Sequence, residues 1–115
     1  MRLTIILTTR GARSGHARPA ELYAWPDADR LVIVGSSGGS ARHPAWVHNL
    51  RANPQATVER GKQIAVMMAR EVTDPDERAR LWPFVVEQFP LFCTYQRRTK
   101  RLIPLFVLEG MAVPG

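Results

Sequence analysis

Only one of the 115 residues is a cysteine, Cys93, so no internal disulfide can form and the chain suits a reducing cytoplasm. Long apolar runs are missing too: none approaches the roughly 20 residues that a membrane-spanning helix needs. The opening stretch "MRLTIILTTRG" carries a charge and a short apolar run, but no small-residue cleavage site follows. Its β-branched content reads as a first strand, not a signal peptide. Cysteine and histidine never cluster at zinc spacing, and the separation of His43 and His48 is not that of metal ligands, so no metal is expected. The glycine turns lack a closing Gly-Lys-Ser/Thr, which excludes a Walker phosphate loop. No Ser-His-Asp spacing, nucleophile elbow or isolated carboxylate pair marks hydrolytic machinery. Repeats, low-complexity tracts and linkers are absent.

Lysine is scarce, and that turns attention to what is present: 2 Lys stand beside 14 Arg, for a net charge of +6. The planar guanidinium fork matches phosphate and carboxylate better than an ammonium point charge does, so an anionic partner is expected wherever the arginines cluster. The densest basic run, "TYQRRTKR" (94–101), has only Tyr95 among its cations. Nucleic-acid binding would call for interleaved aromatics, so the run reads as the basic end of a helix, and no nucleic-acid partner is expected. A hydrophobic fraction of 45% and a charged fraction of 23% describe one ordinary globular domain over residues 1–115.

Local patterns divide the chain. "LTIILTT" (3–9) is a β-branched strand, and "HARPAELYAW" (16–25) and "RLVIVG" (30–35) form a hairpin across "PDAD". A short helix is expected with Pro44 at its first position, ending at Asn53-Pro54. "QATVER" and "QIAVMMAREV" make a second hairpin, with Met67 and Met68 packing into the barrel. Asp74 caps a helix beginning at Pro75, and Pro83 either interrupts it or starts another. "FCTYQRRTK" predicts a last short helix and "IPLFVLE" (103–109) the closing strand. Six hairpin-linked strands in so short a chain predict a mainly β (α+β) fold: a six-stranded antiparallel barrel with short helices at its openings.

Two stretches place chemistry on this frame. "TTRGARSGHAR" (8–18) sets Arg10, Arg13 and Arg18 around two glycines and Ser14, as an anion cradle or simply a solvated hairpin loop. "GSSGGSARHPAWVHNL" (35–50) exposes bare backbone after a strand, near Trp46. That suits a flat ring lying on the backbone, or a plain strand-to-helix connection.

The stretches "LTTRGARSGHARPAELY", "VIVGSSGGSARHPAWVHNLRANP", "ARLWPFVVEQFP" and "YQRRTKRLIPLFVLE" span nearly the whole chain, in order. Together they resemble the deazaflavin-dependent nitroreductase family of actinobacteria. The resemblance implies a split β-barrel of the FMN-binding type and coenzyme F420 as cofactor, with FMN as the second choice. It implies hydride transfer from the reduced deazaflavin to a small electron-poor acceptor: a quinone, an activated alkene or a nitro compound. Cofactor contacts then fall on Ala12, Arg13 and Ser14 of the turn, on Arg18, Pro19 and Tyr23 of the next strand, and on Val34, Gly35, Ser36 and Ser37. The following helix contributes Ala45, Trp46, Val47, His48 and Asn49. Tyr23, Ser36 and Tyr95 stand at the reacting end, with Tyr95 also against the cofactor.

Some members carry lysine where this chain has Ser37, and members commonly have residues ahead of the first strand that close over the substrate. A more open substrate pocket is therefore expected here. The rival readings are a cofactor-binding module without turnover and a basic nucleic-acid-binding domain. The chain is expected to be a monomer or homodimer without an integral membrane segment.

Overall fold

A computed structural model describes residues 2–110; the remainder of the single domain expected over 1–115 lies outside them. The strands are β1 (Leu3–Arg10), β2 (Ala17–Asp27), β3 (Arg30–Val34), β4 (Gln55–Arg60), β5 (Gln63–Glu71) and β6 (Leu105–Gly110). They close into one barrel in the order β1-β2-β3-β6-β5-β4, with every pairing antiparallel. The sequence-predicted barrel is therefore present, with each strand end within about two residues of expectation.

Three helices accompany it: α1 (Ala45–Ala52), α2 (Pro75–Gln88) and α3 (Leu91–Arg98). Only α1 sits as expected, across an opening. Its Trp46, Val47 and Leu50 join Ile5, Leu7, Ile33, Val58 and Phe106 in the barrel interior. Pro44 is its N-cap and not its first helical residue; the Pro44 carbonyl accepts from the Val47 N–H at 3.0 Å.

Helices α2 and α3 depart from the expectation, because they cover an outer face of the barrel and not an opening. Leu81, Val85 and Phe92 pack there on Trp25, Val32, Leu105 and Val107. The cause lies in the strands. Val32 and Ile33 are neighbours in sequence and point to opposite faces, yet both are fully buried, as is every residue of Leu105–Leu108. A strand apolar on both faces needs a second cover. The opposite case appears on β5, where Ile64, Val66 and Met68 face outward and exposed. Met68 is thus not packed into the barrel, while Met67 is partly buried against it.

Asp74 caps α2 through a 3.2 Å bond from the Asp76 N–H, with Pro75 next in line. Pro83 neither ends nor restarts this helix, which runs through it. Pro83 and Ala79, whose carbonyl Pro83 cannot serve, are both on the exposed side, where that carbonyl is open to solvent.

Candidate functional site

After β3 the chain turns through a single 3₁₀ turn, Ser37–Gly39. Ser37 adopts φ +44°, a left-handed conformation uncommon for any residue but glycine. Gly39, at φ +81°, lies directly on α3: a Cβ there would stand 2.8 Å from the Tyr95 carbonyl oxygen and 3.0 Å from its Cα. The loop is therefore docked against the backbone of Tyr95.

Between this loop and β2 opens a cleft of about 310 Å³, at the small end of ligand pockets. Ser36, Ser37 and Gly38 form one wall with Val34, and Pro44 with Trp46 of α1 closes one side. Leu22, Tyr23 and Trp25 of β2 face Phe89, Phe92 and Tyr95. These rings support one another: Phe89 and Phe92 stack at 4.7 Å, Trp25 meets Phe92 edge-on at 5.3 Å, and Tyr23 lies 6.2 Å from Phe89. The Arg2 guanidinium sits 4.2 Å over the Tyr23 ring, and that of Arg98 5.7 Å from the Tyr95 ring centre. Among the described residues, Trp25 Nε1 at this wall is the one buried side-chain polar atom without a partner. The arrangement is a largely aromatic slot whose lining includes the hydroxyl-bearing residues Tyr23, Ser36, Ser37 and Tyr95.

A second hollow, of about 360 Å³, lies at the other end of α1. It is bounded by Arg10–Gly15 and by Ala52 and Asn53. Here Gly11 leaves room for Ser14, since a Cβ at Gly11 would come 2.7 Å from the Ser14 hydroxyl. That hydroxyl accepts from the His16 N–H at 3.1 Å and lies 3.5 Å from the Arg18 guanidinium. Arg10, Arg13 and Arg18 have no carboxylate partner among the described residues. An adjoining polar hollow of about 400 Å³ shares Arg10, Gly15 and Asn53. The slot and the basic turn are thus separated by α1, whose 8 residues span about 12 Å.

Of the residues singled out in the sequence, the slot brings together Tyr23, Val34, Ser36, Ser37, Trp46 and Tyr95. The basic turn gathers Ala12, Arg13 and Ser14, with Arg18 beside them. Others stand apart. Val47 is wholly inside the barrel, and Ala45 and His48 face outward from α1. Pro19 pairs with Thr8, its side chain exposed. Asn49 is buried and acts as a tie: its Oδ1 accepts from the Ala12 N–H and its Nδ2 donates to Thr9 Oγ1, both at 3.0 Å. Gly35 is buried behind the loop, donating to the Pro104 carbonyl at 2.9 Å. The aromatic walls Trp25, Phe89 and Phe92 were not anticipated; the "FPLF" cluster around Pro90 was their only sequence signal.

Comparison with known proteins gives a consistent family. The family model described as F420H(2)-dependent quinone reductase matches residues 1–110. The chain is similar to an F420H(2)-dependent quinone reductase of Mycobacterium tuberculosis, 40% identical over 108 residues covering 91% of this chain and 72% of the relative. A solved F420-H2 dependent reductase, FDR-A, superposes with a TM-score of 0.82 at 36% identity, covering 92% of this chain and 93% of that one. Another solved relative, described as a domain-swapped dimer, reaches the same score and identity over 92% of this chain and 79% of its own.

Proposed function

The chain belongs to the F420H(2)-dependent quinone reductase family, and from that membership we propose that it binds coenzyme F420 and reduces a small electron-poor acceptor of the quinone class. The observation that supports this reading is the pairing, across α1, of an aromatic slot with an arginine turn that has no carboxylate partner among the described residues. A flat ring with an anionic tail needs two such environments on one face of the molecule.

The residues fit the cofactor. The slot between Ser36–Gly38 and the Tyr23, Trp25 and Phe89 walls would take the ring, and Arg10, Arg13, Ser14 and Arg18 the phosphate-bearing tail. The neighbouring polar hollow gives the tail room to continue. When bound in its reduced form, the deazaflavin supplies a hydride. The protein's own task is to orient the acceptor and meet the charge that arrives with that hydride. A quinone receiving a hydride becomes the hydroquinone monoanion, and one proton from water or from a hydroxyl completes the hydroquinone. Ser36, Tyr23 and Tyr95 carry the hydroxyls at the edge of the slot that can donate to the quinone oxygen as its charge grows. The aromatic walls lower the local dielectric beside that oxygen, which strengthens such bonds.

Parallel fluorescence titrations with coenzyme F420 and FMN test this reading. Tighter binding of coenzyme F420 is expected, since its tail carries more negative charge than the single phosphate of FMN. Equal or tighter binding of FMN would overturn the cofactor assignment, and binding of coenzyme F420 without menadione-dependent oxidation of its reduced form would favour a module without turnover.

A further inference from the structure

Arg101 follows α3 at the end of the run "TYQRRTKR", where the sequence suggests only the basic, partly solvated end of a helix. Its guanidinium is instead partly buried and aimed at a loop more than 60 residues away. Nε donates to the Ser40 carbonyl at 2.8 Å, one terminal nitrogen to the Gly35 carbonyl at 3.0 Å, and the other to the Ser36 carbonyl at 2.7 Å. The nitrogen bound to Gly35 also lies 2.8 Å from His43 Nδ1. No carboxylate pairs with Arg101 among the described residues. A charged fork has been placed on backbone carbonyls, which is a use only arginine's planar set of donors allows.

The carbonyls it holds belong to the loop whose other side lines the slot. Peptide units are planar and trans, so each N–H points opposite to the carbonyl that precedes it in the same unit. With the Gly35 and Ser36 carbonyls turned to Arg101, the N–H groups of Ser36 and Ser37 turn away from it, to the side where these residues line the slot. The loop's own bonds are few: Gly39 N–H to the Ser36 carbonyl at 2.9 Å and Ser40 N–H to the Ser37 carbonyl at 3.0 Å. Besides the Gly35 N–H bond to Pro104 and the seat of Gly39 on Tyr95, the bonds from Arg101 are the main hold on the peptide orientations of this loop, with its left-handed Ser37, among the described residues.

We propose that Arg101 is a positioning residue that sets the peptide orientation of the Gly35–Ser40 loop and thereby preorganises the slot for the cofactor ring. The proposal rests on the reading of the slot as the cofactor site. Arg101 touches neither ring nor acceptor; it acts through the loop.

Arg101→Lys keeps the charge but brings three donors to a single point, which cannot span carbonyls on Gly35, Ser36 and Ser40. Two measurements decide the matter. In the cofactor-free protein, amide hydrogen exchange at Gly39 and Ser40 should accelerate at least tenfold in Arg101→Lys. In a coenzyme F420 titration, its dissociation constant should rise about tenfold or more. Arg97→Lys, on the exposed side of α3, should match wild type in both. Wild-type exchange and affinity in Arg101→Lys would overturn the proposal. Failure of wild type to bind coenzyme F420 would overturn the cofactor reading instead, and the exchange result would still decide whether Arg101 sets the loop. If Arg101→Lys does not unfold cooperatively, Arg101→Gln replaces it; loss of cooperative unfolding in both would make Arg101 a structural residue and overturn the proposal.

Discussion

A phenol at the mouth of a slot can do two things, and a single atom separates them. The Tyr95 ring lies 6.4 Å from Phe89 and 6.3 Å from Phe92 in the aromatic wall, which is packing that phenylalanine would preserve. Its hydroxyl is what an acceptor oxygen would meet. Tyr95→Phe should therefore slow oxidation of bound reduced coenzyme F420 by menadione, by at most about 10²–10³ and by less where water replaces the hydroxyl. Cofactor affinity and melting temperature should hardly move. Single-turnover fluorescence beside a thermal melt reads both, and an unchanged rate would leave water as the proton source. The position of Tyr95 in the wall could be anticipated only from family resemblance. Its partners could not: Phe89 and Phe92 become slot walls because α3 folds back over β2, a contact that no local periodicity encodes.

Whole elements impose their own pH dependence through His43, between the 3₁₀ turn and α1. Its Nδ1 faces Arg101, its ring lies 5.5 Å from that of His48, and Arg51 and Glu71, paired with each other at 2.8 Å, complete its charged surroundings. Burial holds the His43 pKa below the ordinary histidine range; Arg101, Arg51 and His48 push the same way and Glu71 opposes them. The unfolded chain then takes up a proton near pH 6.5 while the folded one still refuses it. The stability this provides is complete above about pH 7 and is lost as pH falls through 6.5 toward the lower folded value. Protonation of the folded chain, which comes only at the acid end of that window, also removes the acceptor facing Arg101, so cofactor affinity should weaken at lower pH than stability does. Melting curves from about pH 7.5 downward should show the stability loss first and coenzyme F420 titrations the affinity loss at lower pH, both shallower in His43→Gln. Equal slopes would remove His43 from the loop's support. The carboxylates of Asp27, Glu71 and Glu77 are held low by their arginine bonds, so their contribution falls away only in more acid solution, below about pH 4. At this scale the sequence was most legible where signals are local: strand alternation, the Asp74-Pro75 cap and the "GARSG" turn. It was least legible where a distant element decides, as with Arg101 reaching back to Gly35, Asn49 tying α1 to the turn, or Pro83 tolerated on a solvated helix face.

Across the molecule, the arginine excess is distributed, not uniform. Asp27 takes Arg30 and Arg80, Glu77 and Glu109 take Arg70, and Glu71 takes Arg51, so these cations are neutralised where α1 and α2 meet the barrel. Arg10, Arg13 and Arg18 have no carboxylate partner among the described residues, and they flank one turn. Part of the net charge of +6 is thus left without a carboxylate where an anionic tail would lie. Two consequences separate this field from a merely basic surface. Raising salt from 50 to 500 mM should weaken coenzyme F420 binding more steeply than FMN binding, because screening acts on each charge of the longer tail. Arg13→Ala, on an exposed turn, should weaken coenzyme F420 binding roughly tenfold to a hundredfold at low salt, flatten its salt dependence and leave the melting temperature in place. A collapse in melting temperature at constant affinity per folded molecule would make Arg13 structural. If affinity and salt slope both stay at wild-type values, the tail must lie elsewhere, and the hollow beside Thr57 and Gln55 becomes the place to look for it.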